Sequence, residues 1–220
     1  MKFLATLTSY IFHPLLMLFY SLFLLLCLKP HLIGALHWSE QSLLIILIFI
    51  YTCVVPAIGI ALLKFTGLVK SFKMDDKYDR YGPLIICAIF YLWLWVNLKA
   101  QENIPKLLIA CILSSIICIF VAFVLNMRIK VSLHAMAISA FTSFWIIIRW
   151  FHSEDNIYYF RFAKSSVSAF HIHHLIGISL ILAGWIGTCR LYLKAHTTFE
   201  LYLGYFIGIF STILAFRYTF

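Results

Sequence analysis

About seven apolar runs fill most of this chain, each near the ~20 residues that a helix needs to cross a bilayer at ~1.5 Å rise per residue. They are Tyr10–Leu28, Ser42–Leu63, Pro83–Leu98, Leu107–Leu125, Val131–Ile148, Leu175–Leu193 and Leu201–Phe216. Hydrocarbon offers no partner for a backbone N–H or C=O, so a lipid-embedded segment must satisfy these groups internally. The pattern predicts an all-α, polytopic transmembrane bundle of about seven helices (six to seven). Composition agrees, with 64% hydrophobic and 11% charged residues where a soluble domain carries about 25% charged. The 220 residues make one membrane-embedded domain, 1–220, with a motif-bearing core at about 64–216. Lys2 precedes the first run and no clear small-x-small cleavage site follows it, so the run reads as a retained helix.

Inside the runs, Pro14 and Pro56 predict kinks, because proline removes an amide and crowds the preceding turn. Gly204 and Gly208 form a small-xxx-small face suited to helix packing. The cysteines (Cys27, Cys53, Cys87, Cys111, Cys118 and Cys189) fit neither a zinc nor a disulfide spacing and read as small buried hydrophobes. Trp93, Trp95, Trp145 and Trp150 read as interfacial belts or lipid-facing surface.

The connections hold nearly all the charge. Seventeen Lys and Arg against eight Asp and Glu give a net +9. No helix interleaves basic and aromatic residues as a nucleic-acid grip would, so the expected partners are headgroups and phosphates, with no nucleic acid. Three polar clusters stand out: Lys73–Arg80 after span two, Ser132–His134 after span four at the entry to span five, and Arg190–Glu200 at the end of span six and beyond. Two crossings return a chain to the face it left, so parity puts all three on one side.

Each cluster has its own chemistry. Lys73 and Arg80 can hold phosphate oxygens, Lys as a point charge and Arg through paired donors. Ser132 and His134 stand at a helix start, where backbone amides favour an anion and histidine can move a proton near neutral pH. His196 and Glu200 share a helical face at i, i+4. A carboxylate there can take the Nδ1 proton and leave Nε2 as a nucleophile. Taken singly, the same features fit a charged loop, a capping serine and an interfacial ion pair.

Together, in order and spacing, they resemble the type 2 phosphatidic acid phosphatase and vanadium haloperoxidase superfamily, whose pattern runs K-x6-R-P, P-S-G-H and S-R-x5-H-x3-D. Lys73 and Arg80 keep the first gap, Ser132 and His134 the second motif, and Arg190, His196 and Glu200 the gaps of the third. Departures are Pro83 three residues after Arg80, Val131 and Leu133 in place of Pro and Gly, Cys189 for Ser, and Glu200 for Asp. The resemblance implies a cofactor- and metal-free hydrolysis of a lipid phosphomonoester or diphosphate (phosphatidate-like, phosphatidylglycerophosphate-like or polyprenyl). His196 would be nucleophile, Glu200 its orienter and His134 the acid–base group, with Lys73, Arg80, Ser132 and Arg190 on the phosphate. It also implies a multi-pass protein of a bacterial inner (cytoplasmic) membrane. Phosphotransfer to another hydroxyl by the same histidine, and a degenerate non-enzymatic relative, stand as alternatives.

Other polar residues invite chemistry less. His171-Ile-His173-His174 reads as loop or interfacial histidines, and Asp75, Asp76 and Asp79 as salt-bridging within a basic loop, since a magnesium site needs more carboxylates. His13, His31 and His37 carry no discernible chemistry. Without the presumed phosphate-binding Lys73, Arg80 and Arg190, basic residues divide evenly between the two faces, and the positive-inside rule does not set orientation.

Overall fold

The computed structural model describes residues 1–29, 38–72, 74, 76–151, 157–163 and 166–220; His31, His37, Lys73 and Asp75 lie outside them. The chain is a helical bundle: α1 (Lys2–Ile11), α2 (Pro14–Leu28), α3 (Ser42–Phe49), α4 (Val55–Phe65), α5 (Tyr81–Lys99), α6 (Lys106–Leu125), α7 (Leu133–Phe151), α8 (Ile172–Tyr192) and α9 (Thr198–Thr219). Six helical stretches are long and apolar enough to cross a membrane, with α3 and α4 joined as one of them. The pair α1 and α2, bent by 55°, makes a seventh if it is one span. This is a multi-pass integral membrane protein. The connection after α7 contains a two-stranded antiparallel hairpin, β1 (Ile157–Ala163) with β2 (Ser166–His171).

Pro14, Pro56 and Pro83 sit where a missing amide does little harm. Pro14 opens α2 at a first-turn position, where no intrahelical partner is required. The expected kink there is a break at Phe12 and His13, and the first helical segment begins earlier than the hydropathy run, at Lys2. Ahead of Pro56 the ladder loosens into a π-helical turn, Ile50–Val54. The Thr52 carbonyl, four residues before Pro56 and so deprived of its helical donor, accepts the Tyr91 hydroxyl at 3.1 Å instead. Pro83 lies in the first turn of α5, so that helix starts upstream of the predicted boundary, behind a 3-10 turn at Tyr78–Arg80.

With lipid outside, helices gain no hydrophobic energy by associating and rely on close packing of small residues. The α7–α9 crossing shows this. A Cβ on Gly204 would lie 2.8 Å from the Ser132 carbonyl and 3.0 Å from Ala135 Cβ, and one on Gly208 would collide with Ser139 Oγ and the Met136 carbonyl. The six cysteines are free and buried. One tryptophan assignment is corrected: Trp145 is fully buried, its ring edge-on to Phe144 at 5.5 Å, because its side of α7 faces the bundle interior. Trp150, near the end of the same helix, is 80% exposed.

Candidate active site

The turn joining α8 to α9 is built by two interlocking caps. At the end of α8 the Ala195 amide bonds the Arg190 carbonyl at 3.1 Å and the Lys194 amide bonds that of Leu191 at 2.9 Å, the paired closure of a Schellman motif. Lys194 takes the left-handed conformation (φ 52°) that glycine usually fills there. At the start of α9, Thr197 Oγ1 accepts the Glu200 amide and Glu200 Oε2 accepts the Thr197 amide at 3.0 Å, a capping box. His196 is held between the two.

Its ring has a determined tautomer. Nδ1 lies 3.0 Å from the Lys130 carbonyl and 3.2 Å from Glu200 Oε2. Both are acceptors, so Nδ1 carries the hydrogen and Nε2 keeps its lone pair. The residue is only 8% exposed. Burial, then the charges of Arg80 and Arg190, push its affinity for a proton down, to about 4 from an ordinary 6.5, against an opposing pull from Glu200. The ring is therefore neutral at pH 7.

That shift has a consequence for stability. Unfolded, His196 binds a proton below about 6.5, whereas folded it does so only near 4. Between these values the unfolded state binds more protons, so stability falls as pH drops through the window; the contribution is complete above it and constant below it. Melting temperatures of detergent-purified protein should fall from pH 7 toward pH 4.5 more steeply for wild type than for His196→Gln. Equal slopes would contradict the buried neutral ring.

The other two clusters are laced to this turn through the backbone. Asn126 Nδ2 donates to the Lys77 carbonyl at 2.7 Å and Lys77 Nζ to the Met127 carbonyl at 3.1 Å, joining the loop before α5 to the loop before α7. Arg80, 6% exposed, donates through Nη1 to the Val131 carbonyl at 2.9 Å. The Ser132 amide bonds the Glu200 carbonyl at 3.3 Å, and Ser132 Oγ accepts the Ala135 amide at 3.4 Å, capping α7. In the first loop, Asp76 and Asp79 accept backbone amides of Tyr78 and Lys70 at 3.1 Å each, so their legible role is turn formation.

Arg80, His134, Arg190 and His196 thereby line one cavity of about 590 Å³. Glu200 and the fully buried Ser132 stand behind its wall, bracing His196 and the start of α7. Lys73 lies outside the described residues.

No family model, curated protein or solved structure matches this chain.

A fourth wall comes from the break between α1 and α2. His134 Nε2 lies 3.1 Å from the Ser9 carbonyl, an acceptor, so Nε2 carries the hydrogen. Arg190 Nη1 donates to Ser9 Oγ at 3.3 Å. His13, whose Nδ1 accepts the Leu15 amide at 3.3 Å, sets its ring edge-on to His134 at 5.9 Å. Ser9 and His13 thus belong to the site, against the expectation that His13 has no chemistry. The available signal was His13-Pro14 itself, a polar residue before a proline inside an apolar run, which marks a break where backbone and side chain are free to face a cavity. On the far connection, His173 accepts from Arg149 Nε at 3.4 Å and the rings of His171 and His174 lie 5.8 Å apart. Among the described residues no three His, Cys, Asp or Glu side chains gather as a metal site.

Proposed function

We propose that the protein is a membrane lipid phosphatase that hydrolyses a lipid phosphomonoester or diphosphate through a phosphohistidine. The observation that carries this reading is the His196 tautomer: Nδ1–H held by two acceptors, with an unprotonated Nε2 in a cavity shared with two guanidinium groups. Nε2 attacks phosphorus as the bond to the lipid oxygen breaks, and His134, carrying a second proton once the anionic phosphate lies beside it, gives that oxygen its Nδ1 proton while Nε2–H stays on the Ser9 carbonyl. Water then attacks the phosphohistidine while His134 takes the proton back, and the N–P bond breaks to release phosphate. Arg80 and Arg190 counter the charge on the equatorial oxygens, with Lys73 assigned the same role by its motif. Glu200 stabilises the imidazolium-like ring that forms on attack. The same reading takes in a bacterial inner membrane as the location and a lipid phosphate or polyprenyl diphosphate as substrate.

Phosphate release by purified protein, assayed over phosphatidate, phosphatidylglycerophosphate and a polyprenyl diphosphate with orthovanadate as inhibitor, tests it. Vanadate-sensitive release from at least one substrate is expected. No release from any would overturn it, and a phosphorylated acceptor lipid in place of free phosphate would redirect it to a phosphotransferase.

Glu200→Gln separates Glu200's structural duty from its chemical one. Glutamine serves equally in a capping box, so the melting temperature should change little. The amide, however, cannot stabilise a cationic ring and can present N–H to Nδ1, favouring the wrong tautomer. Activity should fall by about 10²- to 10⁴-fold, as when a triad aspartate becomes asparagine. Full activity in a well-folded variant would reduce Glu200 to a helix cap.

A further inference from the structure

The cavity does not stop at the polar site. Its wall runs along α7 from His134 to Phe144 and along α5 from Arg80 to Tyr91, about 15 Å at ~1.5 Å per residue. That is the depth of one leaflet, half of a hydrocarbon core of ~30 Å. The deep end is made of Met17, Leu18, Phe141 and Phe144 with the cysteines of α5 and α6.

The hydroxyls that reach this wall are already spent. Ser21 Oγ donates to the Met17 carbonyl at 2.9 Å, Tyr91 to the Thr52 carbonyl at 3.1 Å, and Ser115 to the Cys111 carbonyl at 3.5 Å. Ser114 pairs with Thr212 at 2.9 Å. A water needs two to four polar partners to remain in a cavity, and this end offers apolar groups and satisfied ones. The mouth is the opposite: Arg80, Arg190, Lys194 and Lys2 line it with His134 and His196. A volume of about 590 Å³ falls within the ~300–1,000 Å³ of ordinary ligand sites.

From this polarity gradient we propose that the interior chamber binds the hydrocarbon chain of a single-chain amphiphile whose anionic phosphate sits at the cationic mouth; the phosphate half rests on the reading of the site given above. The chain then lies inside the bundle and not against its lipid-facing surface. A chain gains no hydrophobic energy on leaving the bilayer, so entry is driven by the phosphate at the mouth and by the dispersion contacts an empty chamber forgoes. A smaller apolar recess of about 230 Å³ shares Leu84 and Ile119 with the chamber, but it lies on the outward face, where Ile89 and Phe120 are exposed, and does not enclose a second chain.

The test uses dodecylphosphonate carrying a terminal diazirine, which occupies the site without being hydrolysed, photolysed on the full-length protein in detergent or nanodiscs and mapped by mass spectrometry. Adducts are expected on deep residues such as Leu18, Cys111 and Phe144, and unlabelled dodecylphosphonate should suppress them at least tenfold better than butylphosphonate does. Ser115→Phe, which fills the chamber, should lower deep adducts by about tenfold, while butylphosphonate still raises the variant's melting temperature as it does in wild type. Adducts confined to outward residues such as Ile89, Phe120 and Ile181 would overturn the chamber, even if phosphate release persisted. Deep adducts in a protein that releases phosphate from no substrate would uphold the chamber and remove the hydrolase.

Discussion

Replacing His196 with alanine should lower phosphate release by at least about 10⁴-fold, the scale on which loss of a nucleophile acts even when the rest of a site survives. Three features make His196 the most sensitive position. Its Nε2 is the lone pair that the local hydrogen bonding leaves available, since Nδ1 is committed to the Lys130 carbonyl and Glu200. Its neutral state at pH 7 follows from burial beside Arg80 and Arg190, so the nucleophile loses nothing to protonation. Its backbone lies between a Schellman motif and a capping box that do not depend on the imidazole, so the alanine variant should keep the turn. The control is a melting temperature measured at pH 7.5, where both forms of the ring are neutral and a large loss of stability is not expected. Trapping with a radiolabelled lipid phosphate should label wild type on His196 in digests quenched with detergent and kept alkaline, where an N–P bond survives, and leave the variant unlabelled. A variant that turns over normally would remove the phosphohistidine and, with it, the family resemblance as a guide to this chain.

Much of this site was legible from crossing arithmetic. Apolar runs of spanning length imply helices, even numbers of helices between clusters imply one face, and the cavity holding Arg80, His134, Arg190 and His196 follows. The His196–Glu200 contact was legible for a local reason, since four residues make about one turn of a helix. What stayed hidden depends on pairs with no local code. The Ser9 carbonyl meets His134 across 125 positions, and no periodicity in either segment announces the other. Trp145 and Trp150 have the same chemistry and lie on the same helix, yet only the neighbours of α7 decide that one is core and the other surface. The chamber is hidden in the same way, because it arises where side chains of α2, α5, α6 and α7 fail to fill their common space. Ser132 shows the converse: a capping serine was one of the readings its position at a helix start allowed, and the Ala135 amide beside the hydroxyl bears out the cap.

The second large effect should come from Gly208, which touches no substrate. A side chain there meets Ser139 Oγ, the Met136 carbonyl and the Ala140 amide, and the last two are backbone groups of α7 that cannot rotate away as the end of a flexible side chain would. Gly208→Val therefore forces α7 and α9 apart, and overpacking of this kind costs about 3 kcal/mol or more. The loss should also reach the end that carries His196, because the same two helices are tied at their starts by the Ser132 amide and the Glu200 carbonyl. Moving them apart shifts Glu200 and His196 relative to His134. Gly184→Ala is the matched control: it too is a helical glycine, but an added Cβ meets nothing within 4 Å. Alanine is the better helix former by about 1 kcal/mol, so this variant should melt at the wild-type temperature or slightly above it and keep its activity. In a detergent melt, Gly208→Val should be strongly destabilised and the two glycines should diverge. Equal tolerance at both would mean that α7 and α9 are not in close contact, and the bracing of His196 from the start of α7 would fall with that contact.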